Sequence, residues 1–376
     1  MSKRGAAMRS ATSGQARRAD DSARCRDFGA RGRRRSNKTA AGSDLAPRGL
    51  SIAVERARRS LVCATEQSAG PSPPTRRSHA GTAVLRSLTV ERHRQPARHT
   101  SVRDVRVPTF LYGTAWKEDE TARLVRMALG AGFRAIDTAN QRRHYHEAGV
   151  GEALAAALAA ARLPREDVFL QTKFTYLDGQ DHRLPYDPHA PLATQVEQSF
   201  ASSLQHLGVD YLDSYVLHGP SVRHGLSDDD WETWQAMERL HGAGKTRLLG
   251  VSNVSVAQLA ELHAGASTKP AIVQNRCFAA MGWDRAVRQF CGERGILYQG
   301  FSLLTANREV LRHPRVHEIA SRTGKTVPQV IFRFALQVGM TALTGTTSAA
   351  HMAEDLSVYD FDLQPEEVRA IEELVA

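Results

Sequence analysis

Short apolar runs alternate with amphipathic stretches from about residue 109 to the end of the chain. Eight of the runs are rich in β-branched or aromatic residues: TFLYGTAW, FRAID, VFLQTKF, LDSYVLH, RLLGVSN, AIVQNR, ILYQGFSL and TALTGT. Continuous apolar runs of this length mark strands buried on both faces, as in a parallel sheet. Helical patterns lie between them. In LATQVEQSFASSLQHLG, Leu192, Val196, Phe200, Leu204 and Leu207 share one face, and Gly208 stops the helix. Helices are also predicted in GEALAAALAAAR, in WETWQAMERLHGAGK through Trp234, Met237 and Leu240, in SVAQLAELHAG from an N-cap at Ser255, in TVPQVIFRFALQVG and in QPEEVRAIEEL. Eight strand–helix units in about 270 residues predict an α/β chain folded as a (β/α)8, or TIM, barrel. An open doubly wound sheet would want G-x-G-x-x-G after its first strand, and no such turn is present.

Four of these runs stop at a polar group. RAIDTA ends at Asp137, FLQTKF at Lys173, SYVLHGP at His218, and LLGVSN at Ser252 and Asn253. In a parallel barrel the C-terminal strand ends share one mouth, so groups far apart in sequence converge there. Each residue alone has an ordinary explanation: a helix cap, a paired lysine, a loop histidine. A carboxylate, an ammonium and an imidazole on three consecutive strand ends point instead to an enzyme.

Charge divides the chain. Residues 1–100 hold 22 Lys and Arg against 7 Asp and Glu, whereas residues 101–376 hold 28 against 33. The net charge of +10 therefore belongs to the N-terminal segment. That segment, with ARGRRRSNKT and AGPSPPTRRS, has too little apolar surface to offset the entropy of ordering it. Residues 1–103 are read as a disordered Arg/Ser/Ala-rich extension and 104–376 as the barrel. A non-functional extension, a cleaved leader and a functional basic arm all fit the first segment; Asp20, Asp21 and Asp27 sit awkwardly in an organelle transit peptide. The folded part lacks the basic face that nucleic-acid binding requires. No apolar run reaches the roughly 18 residues of a membrane span. Four cysteines without a C-x-x-C pair fit neither a disulfide framework nor a structural zinc site, and suggest a reducing, cytoplasmic setting with organelle import left open.

Ten motifs occur in order: GTAWK, GFRAIDTA, GVGEAL, TKF, SLQHLGVDYLDSYVLHGP, MERLHGAGKTRLLGVSN, VQNR, GFSLL, GKTVPQVIFRFALQ and EDLSVYDFDL. With them the chain from about residue 107 onward resembles the aldo-keto reductase superfamily. The resemblance implies metal-free, NAD(P)H-dependent reduction of a small-molecule carbonyl, run by an Asp, Tyr, Lys and His tetrad. Asp137, Lys173 and His218 match three members. The tyrosine is expected five positions after the Asp, where Arg142 stands. Counting back from VGEAL places Tyr145 there instead, and a small insertion around Asn140 to His144 reconciles the two counts. Tyr145 is thus the expected proton donor. Lys173 would make it a better acid, Asp137 would hold Lys173, and His218 would orient the substrate oxygen.

The same resemblance assigns Ser252, Asn253 and Gln274 to the nicotinamide carboxamide, and Phe301, followed by Ser302 and Leu303, to stacking on its ring. On the phosphate and adenosine side it assigns Thr346, Thr347, His351, Glu354 and Asp355. The family pattern usually has Lys where Gly345 stands, Arg where His351 stands and Asn where Asp355 stands. A 2′-phosphate favours cations, so NADPH is expected with NADH left possible. Trp116 matches a pocket aromatic. Gly219 replaces a Trp after the tetrad His, which widens the pocket, and the polar loop from Thr175 to Pro191 is expected to set specificity. The expected partner is a small carbonyl compound, with no nucleic acid or membrane, and the chain is expected to be a monomer or weak dimer. Two other readings stay open: a cofactor-binding regulatory subunit of the same fold, favoured by the displaced Tyr, and a metal-dependent hydrolase, disfavoured because only one strand end carries His.

Overall fold

The computed structural model describes residues 98–160 and 163–374. The expectations about the first 97 residues therefore lie outside the described residues. Eight parallel strands close into a barrel: β3 (Phe110–Gly113), β4 (Ala135–Asp137), β5 (Phe169–Phe174), β6 (Leu212–Leu217), β7 (Thr246–Ser252), β8 (Ile272–Arg276), β9 (Leu297–Phe301) and β10 (Thr341–Thr344), with β10 pairing back onto β3. All eight coincide with apolar runs in the sequence. β4, β5 and β6 are buried at every position, as strands covered on both faces must be.

A hairpin precedes the barrel: β1 (His99–Val102) and β2 (Val105–Pro108) pair antiparallel. The expected border at 103/104 thus falls inside a hairpin turn rather than between an extension and the barrel. The turn residues Arg103 and Asp104 have φ of 46° and 65°, the left-handed pair a two-residue hairpin turn demands. Neither is the Asn or Gly that would signal such a turn, which is why the sequence pattern gave no sign of it. Val102, Val105 and Val107 join Leu111, Ala135, Phe169, Leu248, Ala271 and Ile272 in one apolar cluster. Those partners lie in or just before the barrel strands, so the hairpin closes the end opposite the strands' C-terminal mouth.

The helices pack outside. They are α1 (Thr121–Ala131), α2 (Glu147–Ala159), α3 (Leu192–Leu207), α4 (Asp228–Gly242), α5 (Val256–Gly265) and α6 (Arg285–Glu293), followed after β9 by α7 (Arg308–Arg312), α8 (Pro314–Thr323) and α9 (Val327–Gln337), and after β10 by α10 (Ala349–Leu356) and α11 (Pro365–Glu372). Three helices after β9 exceed the single one expected there. α3 ends as its pattern predicts, at Gly208 with φ 65°, and Ser255 caps α5 in a reciprocal box with Gln258. Gly151 in GVGEAL is required by a close approach: a Cβ there would lie 2.0 Å from the carbonyl oxygen of His206 at the end of α3. No described helix is long and apolar enough to cross a membrane.

Candidate active site

The register of the strands puts a polar layer inside the barrel near its mouth. Asp137 pairs with Gln171, Ser252 with Gln274, and Gln274 with Gln299. Buried polar groups are tolerated only when hydrogen-bonded, and these bond to one another. Asp137 Oδ1 accepts from Gln171 Nε2 at 2.7 Å and from Gln274 Nε2 at 2.9 Å, and Gln299 Oε1 accepts from the same two amides at 2.8 and 2.9 Å. Lys173 Nζ donates to both Asp137 oxygens at 2.8 Å and to the Thr138 carbonyl at 2.7 Å. Burial pulls the Lys173 pKa below its usual value while the Asp137 carboxylate holds it up. All three ammonium hydrogens are thereby used.

Tyr145 lies over this pair. Its ring centroid is 5.3 Å from Lys173 Nζ, and it meets the His218 ring edge-on at 6.0 Å. Burial and the Asp137 charge push its phenol above the ordinary pKa, so the hydroxyl keeps its proton at neutral pH. The loop that presents Tyr145 is stitched down on several sides. Its N–H donates to Gln141 O at 2.9 Å, Gln141 Nε2 donates to Gly179 O, and Gln180 Nε2 donates to Asn140 O. Arg142, five positions after Asp137, points instead to Glu118 at 3.3 Å. The two ways of counting are thus separated by direction: Tyr145 faces the barrel mouth and Arg142 the outside.

His218 leaves the end of β6. Its Nδ1 lies 2.7 Å from Thr175 Oγ1, which leaves Nε2 as the nitrogen open to the mouth. Burial, then the Lys173 and His144 charges, lower its pKa to about 3; the ring is neutral throughout the physiological range. Thr175 is fixed in turn. Its carbonyl accepts from Tyr186 OH and Gln180 Nε2, and its methyl packs so closely that a Cβ at Gly179 would come within 2.6 Å of it.

Asp137, Tyr145 and His218 open into one cavity of about 850 Å³, within the usual range for small-molecule and cofactor sites. Ser252, Gln274, Phe301, Ser302 and Leu303 continue its wall, and Thr346, His351, Glu354 and Asp355 also line it. Trp116 stands at the mouth, 68% exposed. It has a left-handed φ of 62°, held by its N–H bond to His144 O at 2.7 Å and by stacking on the His144 ring at 4.0 Å. A bulky residue in that region of φ is strained and marks a constrained site.

Four expected site residues are not part of the cavity wall: Lys173, buried behind it on Asp137, and Asn253, Thr347 and Gly219. The Asn253 amide donates to His218 O at 2.8 Å and Ser252 Oγ at 3.1 Å. Gln274 spends its amide nitrogen on Asp137 and Gln299, so only its Oε1 remains for a ligand. Sequence reasoning missed Gln171, Gln299 and Thr175. The signal for the two glutamines was present, an uncharged polar residue in the middle of a buried strand.

Asp355 is 4% exposed, and burial raises its pKa from 3.8 to about 6. A carboxyl that holds its proton more tightly in the folded state costs stability once pH rises above the unfolded value. The penalty grows from about pH 4 to 6 and is complete above. A two-unit shift corresponds to about 2–3 kcal/mol. Asp355→Asn should therefore raise the melting temperature at pH 7.5, and the gain should shrink toward zero as the pH is lowered to 4.

The comparisons with known proteins agree with this architecture. Residues 109–376 match the model of the aldo/keto reductase family. A Bacillus subtilis protein described as an uncharacterized oxidoreductase is 31% identical over 280 residues, 74% of this chain and 92% of its own length. Among solved structures, an aldo/keto reductase from Brucella melitensis has a TM-score of 0.62 and 29% identity, covering 73% of this chain and 98% of that one. The Bombyx mori aldo-keto reductase in complex with NADP has a TM-score of 0.63 and 26% identity, covering 74% and 92%. Because the family match runs across the entire barrel, and these relatives align over nearly their whole length, the chain belongs to the aldo/keto reductase family of oxidoreductases.

Proposed function

We propose that the chain reduces the carbonyl of a small aldehyde or ketone, using a reduced nicotinamide dinucleotide, in a reaction that runs backwards as alcohol oxidation. The observation that carries the reading is the convergence of Asp137, Tyr145 and His218 on one cavity of about 850 Å³, with Lys173 paired to Asp137 behind them. The wall suits a dinucleotide. Phe301 offers a ring for stacking and Ser252 and Gln274 Oε1 polar atoms for a carboxamide, while Thr346 and His351 suit a phosphate and Glu354 and Asp355 the hydrogen-bond donors of adenosine. A bound nicotinamide would supply the hydride.

The chain's own residues would manage the charge that grows on the carbonyl oxygen. Tyr145 holds a proton at the mouth and donates it as that charge develops. The neutral His218 donates a hydrogen bond from Nε2 to the same oxygen, which orients and stabilises it. That role needs the Nε2–H tautomer, which Thr175 supports when its hydroxyl donates to Nδ1 across the 2.7 Å contact. Thr175→Val removes the hydroxyl at constant shape and should lower kcat/KM about tenfold or more, with Thr175→Ser retaining most activity. Equal activity of the two variants would remove Thr175 from the account.

The Lys173 charge favours loss of the Tyr145 proton, and Asp137 keeps that ammonium in place. The regulatory-subunit reading draws on one observation: the three Lys173 hydrogens go to Asp137 and Thr138, and none to Tyr145. Turnover separates the two. The full chain should consume NADPH or NADH with a generic aromatic aldehyde; tight cofactor binding without turnover on any carbonyl would favour the regulatory role.

A further inference from the structure

His218 takes its orientation from Thr175, yet the two sit on different strand-end loops, Thr175 just after β5 and His218 just after β6. The bonds from Tyr186 and Gln180 fix Thr175 within its own loop. One buried carboxylate joins the two loops. Asp230, in the first turn of α4, is 2% exposed, while Asp228 and Asp229 beside it face solvent. Its Oδ1 accepts from the Tyr176 hydroxyl at 2.9 Å and from the Ser221 N–H at 2.7 Å. Tyr176 directly follows Thr175, and Ser221 closes the short stretch His218-Gly219-Pro220-Ser221. Burial raises the pKa of the Tyr176 phenol, so its O–H is the donor in this bond.

Helix capping accounts for only half of this carboxylate. Oδ2 serves the cap: it accepts from the Ser227 N–H at 2.9 Å, and Ser227 Oγ accepts from the Asp230 N–H at 3.2 Å, the reciprocal box of a helix start. Oδ1 is left over, and both of its donors lie off the helix. Hydrogen bonds to a carboxylate are roughly twice as strong as neutral ones, and a buried acceptor that loses its donor bears the full cost of desolvation. The Tyr176 ring rests edge-on against Phe174 at 5.4 Å, so packing keeps the phenol aimed at Asp230. Farther along the loop after β6, Gln258 Nε2 donates to Val222 O at 3.0 Å and Gly225 O at 2.9 Å. The stretch nearest His218 is therefore pinned by Asp230, and the outer part by α5.

We propose that Asp230 is a positioning residue for His218: its Oδ1 holds the loop that carries the imidazole against the loop that carries Thr175, and so keeps the ring's Nε2–H aimed into the cavity. The proposal rests on the role given to His218 above. Its first test needs no turnover: heteronuclear NMR of the full chain with nitrogen-labelled histidine, the His218 ring signals being identified by their loss in His218→Asn. The wild-type ring should show a protonated Nε2 and a bare Nδ1. Tyr176→Phe removes one oxygen and keeps the ring, which takes away the bond between the loops. Its His218 signals should move toward the average of the two tautomers. Its kcat/KM with an aromatic aldehyde should fall about tenfold, the scale of one hydrogen bond to a charged group, with dinucleotide affinity unchanged. Ser227→Ala removes the cap hydroxyl and leaves both Oδ1 bonds. It should lower the melting temperature yet leave the His218 signals and kcat/KM in place. A wild-type ring protonated at Nδ1 would overturn the proposal. So would Tyr176→Phe with unmoved signals, or with unchanged kcat/KM in a chain that turns over. Signals displaced as far in Ser227→Ala as in Tyr176→Phe would also overturn it, by reducing Asp230 to a helix cap. Signals that move as expected in a chain that reduces no carbonyl would uphold the positioning and sink the functional reading instead.

Discussion

Tyr145→Phe is expected to lower kcat/KM for carbonyl reduction by about 10²- to 10⁴-fold, the usual contribution of a positioned general acid. The substitution removes one oxygen and keeps the ring, so the contacts with Lys173 at 5.3 Å and His218 at 6.0 Å survive. Dinucleotide affinity and melting temperature should change little, and the loss should fall on kcat. The paired control is Arg142→Ala. Arg142 occupies the spacing at which the family usually has its tyrosine, but it faces Glu118 outside the cavity, and its loss should cost far less. Exposed ion pairs of this kind contribute about 0–1 kcal/mol. Steady-state kinetics of the two variants decides between the positions. If Tyr145→Phe retained full activity, the proton would have to come from elsewhere.

Asp137→Ala is expected to destabilise the fold by about 3–5 kcal/mol, because it leaves a buried ammonium without its anion. Lys173 is 1% exposed and would keep only the Thr138 carbonyl. Lys173→Met should cost less. Asp137 would still accept from Gln171 and Gln274, and two amide donors partly replace the lost cation. Urea unfolding of both variants checks the order. A Lys173→Met protein less stable than Asp137→Ala would mean that the glutamine layer does not support the carboxylate. Both variants should lose most of their activity.

The barrel was legible because buried parallel strands are continuous apolar runs, and all eight stood out between helical patterns. The β1–β2 hairpin was not, since HTSV and VRVP are short, carry polar residues and join through Arg-Asp rather than Asn-Gly. The helices α7 and α8 were hidden for another reason: NREVLRHPRVHEIASRT breaks its periodicity at His313-Pro314, so neither segment is long enough to read alone. At the site, residues on strand ends were visible because a polar group stopping an apolar run is a local event. Tyr145 required a length correction that only the loop's path decides. The contact of Thr175 with His218 was invisible, since only the fold brings the two side chains together. Asn253 and Thr347 matched a motif, yet their side chains lie outside the cavity wall.

A hydride passed in this cavity from a nicotinamide to a carbonyl carbon can be followed as an atom. The full chain is incubated with NADPH deuterated at both C4 positions and an aromatic aldehyde, and the product alcohol is analysed by mass spectrometry. The account predicts one deuterium on the carbinol carbon of every alcohol formed, with the yield collapsing in Tyr145→Phe. Unlabelled alcohol, or bound cofactor with the aldehyde left unchanged, would contradict it.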